Sequence, residues 1–164
     1  MEARGKIKTV SDSRAELTDL VLPPDTNMHG TIFGGKVMAY ADKIAVISAM
    51  RHCRKPVVTV RSDSFEFHSP IKSGEAICIE SFVVCAFRTS MEVLVRIYAE
   101  NLLTGEKRKT SQAYLTIIAI DEHSKPSEIP PITPVTEEER LQYESAMERY
   151  QKRKQKRQVP DRVL

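Results

Sequence analysis

The sequence predicts an α+β fold, with one long helix early in the chain and a run of antiparallel strands after it. The helix is indicated by the stretch 36–53, which has no Pro or Gly and is apolar on two sides. The strands are indicated by three long segments at 75–87, 91–101 and 107–121, which are joined by short turns. Successive strands with short turns form a meander, and one helix before a meander is typical of the α+β class.

The segment before the helix is predicted to be a short strand followed by a polar loop. Residues 15–22 carry Leu17 and Leu20 among polar side chains. The loop ends at Gly34 and Gly35, which stand immediately before the helix. Glycine lets the backbone approach a ligand closely, and the free N–H groups of a helix start favour an oxygen that carries negative charge. The glycine pair is therefore a candidate binding element.

The strand after the helix is predicted at 56–68, which is rich in Val and Thr. Its apolar positions change parity between Val60 and Phe65, and a bulge near Asp63 explains that change. Segment 91–101 shows the clearest alternation, which predicts a strand with one buried face. The buried positions are Met91, Val93, Val95, Ile97 and Ala99, and those on the opposite face are Glu92, Arg96 and Glu100.

A Pro-rich segment separates the predicted sheet from a predicted C-terminal helix. Prolines exclude regular helix and sheet, so residues 125–135 are expected to form a stiff connector. Thr136 and Glu139 have the spacing of a capping box, and the helix is expected to run toward residue 151. Its apolar positions are Leu141, Met147 and Tyr150. The cations that follow are interpreted as a solvated helix end: Lys152, Arg153, Lys154, Lys156 and Arg157.

A length of 164 residues suits one domain with a sizeable core. We divide the chain into an N-terminal extension at 1–12, a single domain at 13–124, the connector at 125–135, and a C-terminal helix with a basic tail at 136–164. The composition shift at the prolines sets the later boundaries.

Composition narrows the class of protein. Hydrophobic residues make up 41% and charged residues 29%, as in ordinary soluble globular proteins, and the net charge of +3 indicates no particular partner. Three cysteines without close pairs favour neither a disulfide framework nor a zinc site. No segment approaches the ~20 apolar residues of a membrane span, and no export signal is recognised. We expect a cytoplasmic protein without a membrane span or a metal.

Residues around the predicted helix start suggest acyl transfer to water. Asp42 projects from an apolar helix face, where an unpaired carboxylate is costly, and the alternative is a structural acid paired with Lys43 or Arg51. Asn27 lies in the polar loop, where the alternative is an Asx turn. With Gly35, these residues supply a general base, an amide that orients water, and an oxyanion site.

A serine or cysteine nucleophile is not expected. The chain has no G-x-S-x-G motif, and Ser48 has no obvious triad. His52 and Cys53 are consecutive on the predicted helix, so their side chains diverge. Direct attack by water is therefore the preferred chemistry.

The chain resembles the hotdog-fold acyl-CoA thioesterases, and among them the bacterial single-domain acyl-CoA hydrolases. The resemblance covers roughly 13–131 in register and rests on Asn27, His29, Gly30, Gly34, Gly35, Met38, Asp42 and Ala45, with the later segments 88–91 and 113–116. It implies a long helix wrapped by a curved antiparallel sheet, with 13–124 as the hotdog domain. It also implies hydrolysis of fatty acyl-CoA to fatty acid and coenzyme A at a dimer interface.

The resemblance further implies a role for each candidate residue. Asp42 is the expected base, Asn27 orients the water or the thioester, and the N–H of Gly35 holds the oxyanion. His29 and Gly34 are expected to contact the substrate. The coenzyme A phosphates are expected at Arg88, Thr89 and Ser90, with Lys107 and Lys109 as a second basic cluster. Many relatives have glycine where Phe87 stands, so the shape of this turn is expected to differ.

The resemblance also implies a shared active site, because in the hotdog thioesterases two domains pair around a two-fold axis and the loop of one faces the helix of the other. Helix geometry agrees, since Asp42 lies about two turns inside the helix, roughly 10 Å from Gly35. Asn27 of one subunit would meet Asp42 of its partner in a homodimer with two equivalent sites. Family analogy extends this to a trimer of dimers. No cofactor is expected, since coenzyme A is part of the substrate and the product.

Two other classes of function remain open from the sequence. The first is a non-catalytic hotdog module that senses acyl-CoA. The second is a binder of nucleic acid or an anionic surface through the run at 152–157, which lacks interleaved aromatics and a recognition motif. We therefore expect no nucleic-acid partner.

Overall fold

The computed structural model describes the backbone of residues 5–158 and the side chains of residues 5–155. Its elements, in chain order, are β1 (Lys8–Thr9), β2 (Ala15–Leu20), α1 (Gly34–Cys53), β3 (Val57–Phe67), β4 (Ala76–Ala86), β5 (Ser90–Glu100), β6 (Lys107–Ala119), β7 (Ile132–Thr133) and α2 (Glu137–Gln158). Two short 3₁₀ turns, Val10–Ser13 and Pro23–Asp25, lie before α1. The predicted α+β class is confirmed.

A five-stranded antiparallel sheet in the order β2-β4-β5-β6-β3 carries helix α1 on one face. The strands β4, β5 and β6 form the predicted meander. The face of α1 that packs on the sheet is fully buried at Ala41 and Ala45, whose small side chains let the helix approach closely. This arrangement of helix and curved sheet is the one implied by the hotdog resemblance.

Helix α1 begins two residues earlier than the sequence indicates. Gly34 and Gly35 form its first turn rather than preceding it, and Phe33 is the N-cap residue. The sequence also suggests a helix surrounded by other structure, but one side of α1 is open in the single chain. Met38, Ile47 and Met50 are each 44–46% exposed there.

The predicted irregularity in β3 is confirmed. Its pairing with β6 shifts register between Thr59 and Arg61, and again between Asp63 and Glu66. Ser64 adopts a positive φ of 53°, within the second shift. Strand β3 is also an edge of the sheet, and Val58 and Val60 remain 42% and 48% exposed.

The prediction that β5 has a single buried face is wrong. Glu92 and Leu94, which lie on the face expected to be polar, are both 0% exposed. Helix α2 covers this second face. The contact is shown by Arg149 of α2, which donates hydrogen bonds to the Glu92 carboxylate. Helix α2 also contacts β4, where Met147 Sδ lies 3.7 Å from Cys85 Sγ.

The C-terminal helix confirms the capping box and the exposure of Lys152 and Lys154, but not that of Arg153. The side chains of Lys156 and Arg157 lie outside the described residues. Thr136 Oγ1 accepts from Glu139 N at 3.2 Å, and Glu139 Oε2 accepts from Thr136 N at 3.1 Å. The helix runs to Gln158, well beyond residue 151. Leu141 is 58% exposed, whereas Arg153, expected in a solvated end, keeps only 15% of its side chain exposed.

A small two-stranded parallel sheet pairs β1, near the N-terminus, with β7, which lies between β6 and α2. Lys8 pairs with Ile132 and Thr9 with Thr133. The prolines of the connector led us to expect no strand there. Ile132 and Thr133 escape that constraint because both retain a backbone N–H between Pro131 and Pro134.

Candidate active site

Asp42 lies in the middle of α1, on the side of the helix that the single chain leaves open. Its Oδ1 accepts a hydrogen bond of 2.7 Å from Thr59 Oγ1 on β3. The carboxylate itself is exposed, so the expected burial is not present within one subunit. Met38, one turn earlier, is 46% exposed and makes this surface apolar. The alternative pairing with Lys43 or Arg51 does not occur among the described residues, where Arg51 instead bonds the Arg14 carbonyl.

Asn27 organises the loop before α1. Its Oδ1 accepts from His29 N at 2.9 Å, and its Nδ2 donates to Thr31 Oγ1 at 3.1 Å. The first of these bonds is the Asx turn that the sequence left open as an alternative. An amide carries two N–H donors, so one remains after Thr31 is satisfied. His29 contributes its backbone N–H to the loop while its side chain is exposed.

Gly34 and Gly35 present backbone N–H groups at the start of α1. Neither N–H has a hydrogen-bond acceptor within residues 5–158, whereas Lys36 N and Val37 N both donate to Phe33 O. A Cβ at Gly35 would meet nothing within 4 Å, so open space lies beside this residue. The helix dipole adds positive potential at the same point. The arrangement can therefore hold an oxyanion.

An apolar cavity of about 360 Å³ adjoins Gly34. Ile32, Val37, Phe67, Pro70 and Ile71 form the apolar part of its wall, and His68, Ser69 and Ser111 form the polar part. A Cβ at Gly34 would lie 3.6 Å from the Phe67 ring, an ordinary van der Waals contact, so the ring lies close to the start of α1. Such a cavity suits an alkyl chain better than a charged group.

Arg88 and Thr89 lie in the turn between β4 and β5, and Ser90 is the first residue of β5. Arg88 is 76% exposed in its side chain and has a weak contact of 3.6 Å with Glu128. The Thr89 carbonyl accepts from Ala119 N at 3.0 Å, which fixes the turn to β6. Phe87, immediately after the end of β4, stacks on Tyr150 of α2 with ring centroids 3.9 Å apart. Helix α2 therefore shapes this turn.

The second basic cluster lies at the opposite end of the sheet. Ser90 pairs with Ile118, whereas Lys107 pairs with Glu100 at the other end of the same hairpin. At ~3.3 Å per residue, roughly 30 Å separates the two clusters. Lys107 Nζ sits over the Tyr98 ring, and Lys109 bonds Gln112. One subunit therefore does not bring both clusters to one phosphate.

The residues that could form a nucleophilic pair bond other partners in the structure. Ser48 is buried and bonds Ser81, while His52 Nε2 bonds the Pro130 carbonyl at 2.8 Å. Burial raises the pKa of the Cys53 thiol, which disfavours the thiolate. All three cysteines are buried and unpaired. Within the described residues, no cluster of His, Cys, Asp and Glu is arranged to hold a metal, and no helix could cross a membrane.

Thr59 is a site residue that sequence reasoning missed. It holds the Asp42 carboxylate from β3, but a threonine in a strand rich in Val and Thr carries no distinctive signal. Sequence reasoning also missed the ion pairs of Arg153 with Asp63 and Glu92, because a run of cations does not show which side chain packs against the sheet.

Comparison with known proteins adds the following. The thioesterase superfamily matches residues 29–106. An uncharacterised acyl-CoA thioester hydrolase of Bacillus subtilis, YkhA, is 42% identical over 89% of this chain and 85% of its own length. An apo-hexameric acyl-CoA thioesterase superposes with a TM-score of 0.87 at 49% identity, over 92% of this chain and 97% of the other.

A third similar structure is the acyl-CoA hydrolase of Staphylococcus aureus, solved in complex with butyryl coenzyme A, coenzyme A and coenzyme A disulfide. It superposes with a TM-score of 0.86 at 37% identity, over 93% of each chain. Variants of that enzyme replace an aspartate, an asparagine and a threonine, each by alanine.

Proposed function

This chain belongs to the thioesterase superfamily, and on that premise we propose that it hydrolyses fatty acyl-coenzyme A to a free fatty acid and coenzyme A. The observation that carries the mechanism is the carboxylate of Asp42, held by Thr59 at 2.7 Å on an open, apolar helix face. The staphylococcal relative binds butyryl coenzyme A and has been altered at the same three residue types as Asp42, Asn27 and Thr59.

In the proposed reaction, Asp42 removes a proton from water while the water oxygen attacks the thioester carbonyl carbon. The carbonyl becomes an oxyanion that the N–H of Gly35 stabilises, and Asn27 orients the water or the thioester. Collapse of the tetrahedral intermediate breaks the carbon–sulfur bond, and Asp42 returns the proton to the departing thiolate. Thr59 occupies one carboxylate oxygen, which leaves the other for the water.

Substrate binding uses features at both ends of the molecule. The apolar cavity beside Gly34 accommodates the acyl chain. Arg88, Thr89 and Ser90 contact the phosphates of coenzyme A, with His29 near the thioester and Lys107 and Lys109 contributing from a neighbouring subunit. The reaction uses no cofactor, and the unpaired cysteines support a cytoplasmic setting.

The active protein is proposed to be a homodimer. Two kinds of surface lie around Asp42: the exposed apolar side chains of α1, and the outer edge of β3, which is the last strand of the sheet. Proteins normally cover both kinds of surface. Covering them with a second copy would bury the Asp42 carboxylate and bring it to the loop of the partner. The hexameric relative supports a further assembly as a trimer of dimers.

A thiol-release assay on acyl-CoAs of short, medium and long chain tests the activity. We expect turnover of at least one chain length, with coenzyme A and fatty acid in equal amounts. Stoichiometric binding of acyl-CoA without thiol release would identify a sensing module instead. Binding of nucleic acid is not expected in a parallel titration.

Mixing two inactive variants tests the shared site. Subunits with Asn27→Ala and subunits with Asp42→Ala, exchanged under mild denaturation, should form heterodimers in which one site carries both lesions and the other is intact. We expect activity to recover toward half of the wild-type value per heterodimer. Native mass spectrometry verifies exchange, and verified exchange without recovery would show that each chain builds its own site.

A further inference from the structure

A second cavity, of about 180 Å³, lies between α2 and the sheet. Its wall contains three cationic side chains, hydroxyl groups, one aromatic ring and two aliphatic side chains. The lining residues are Val60, Arg61, Ser90, Thr116, Ile118, Tyr150, Arg153 and Lys154. Arg61, Arg153 and Lys154 are cationic, and Asp63, which is not part of the wall, pairs with Arg61 at 2.5 Å and with Arg153 at 3.2 Å.

Two lining residues carry buried polar atoms without a partner. Thr116 Oγ1 and Arg153 Nη2 make no hydrogen bond, and they are two of the four such side-chain atoms among the described residues. A buried guanidinium N–H without an acceptor costs free energy, and an ordered water or a bound ion is the usual way in which such a group is satisfied. An anion in the cavity would supply the missing acceptor.

An ion network behind the cavity holds Arg153 in place. Its Nη1 lies 3.1 Å from Glu92 Oε2 and 3.2 Å from Asp63 Oδ2. Arg149 also contacts Glu92, at 2.6 Å, and its guanidinium stacks on the Tyr114 ring. The cation of Arg153 is therefore positioned before any ligand arrives, which lowers the cost of binding.

The cavity lies on the opposite face of the sheet from the proposed base. Successive side chains of a strand alternate between faces. On β5 and β6, Met91 and Ile117 face α1, whereas Glu92 and Thr116 face α2. Asp42 belongs to α1, so this cavity is separate from the site of hydrolysis.

We propose that the cavity binds a phosphate group, with Lys154 and Arg61 as charged contacts at its mouth and Ser90 and Thr116 as hydroxyl contacts. A planar guanidinium, an ammonium and hydroxyls together form the donor set that phosphate oxygens require. The phosphate belongs either to coenzyme A or to a free phosphorylated molecule.

Calorimetric titration of the full chain with inorganic pyrophosphate tests the site. Lys154→Gln and Arg61→Gln should each raise the dissociation constant roughly tenfold or more, the value of one charge-assisted contact. Thr116→Val, which keeps the side-chain volume, should also weaken binding. The matched control is Lys152→Gln, which removes the same charge from an exposed position of α2 outside the cavity wall.

Two results would overturn the proposal. One is the absence of measurable pyrophosphate binding. The other is an equal loss of affinity in Lys152→Gln and Lys154→Gln, because general attraction to a basic helix end would then account for it.

A kinetic comparison separates the two sources, and this arm rests on the proposed hydrolysis. If coenzyme A supplies the phosphate, pyrophosphate should raise KM for acyl-CoA and leave hydrolysis of acyl-pantetheine unchanged. If a separate molecule supplies it, pyrophosphate and coenzyme A should bind together without competing. The calorimetric titration with pyrophosphate tests the phosphate site independently, even if the protein hydrolyses no thioester.

Discussion

Replacing Asp42 by alanine should lower kcat for acyl-CoA hydrolysis by about 10²–10⁴-fold, the usual effect of removing a general base. The fold should be unaffected, because within one subunit the carboxylate is exposed and its hydrogen-bond partner is Thr59. Thiol release under saturating substrate measures kcat, and circular dichroism with size-exclusion chromatography measures fold and assembly.

Lys43→Ala is the matched control, since Lys43 is the next residue of α1 and is also exposed. It should retain wild-type kcat. Thr59→Val should give an intermediate loss, because the base remains but its orientation is no longer fixed. Wild-type turnover in Asp42→Ala would disprove the assignment of the base.

Replacing Arg149 and Arg153 together by leucine should lower the free energy of unfolding by about 3–5 kcal/mol, the typical cost of leaving a buried charge without its partner. Glu92 is 0% exposed, and both arginines bond it. With the two cations removed, the carboxylate must remain buried without compensation or become protonated. Urea unfolding, followed by fluorescence or circular dichroism, measures the change.

Adding Glu92→Leu to the double variant should restore most of the lost stability, since an apolar replacement removes the uncompensated charge. Arg140→Leu is the control on the same helix, because Arg140 is 59% exposed and pairs only with Glu137 of α2 among its described contacts. An equal loss in this control would assign the effect to the helix rather than to the buried network.

The parts of the fold that follow from local pattern were predictable from the sequence. The parity change near Asp63 located the bulge, and Thr136 with Glu139 located the start of α2. The alternation of residues 91–101 located β5 but did not reveal that α2 buries the second face of this strand. A glutamate on a strand normally faces water, and the arginines that neutralise Glu92 lie more than fifty residues later in the chain.

The sequence allowed us to choose the candidate site residues, but it did not predict the exposure of the helix face around them or the contact with Thr59. Asp42 was chosen as an acid on an apolar face, and the structure shows that face exposed in the single chain. Helix periodicity reports which residues share a face, but it does not tell whether the same chain or a second copy covers that face. Thr59 could not be found without the pairing of β3 beside α1.

The pairing of β1 with β7 has a consequence for the order in which the protein folds during synthesis. Lys8 and Thr9 leave the ribosome early, but their partners Ile132 and Thr133 are made only after the whole sheet. Strand β3 likewise waits for β6, its hydrogen-bonding neighbour. Non-local pairings of this kind slow folding and leave unpaired edges exposed on the nascent chain. Translation that pauses before residue 107 should therefore yield a chain prone to aggregation, with α1 and β3 both uncovered.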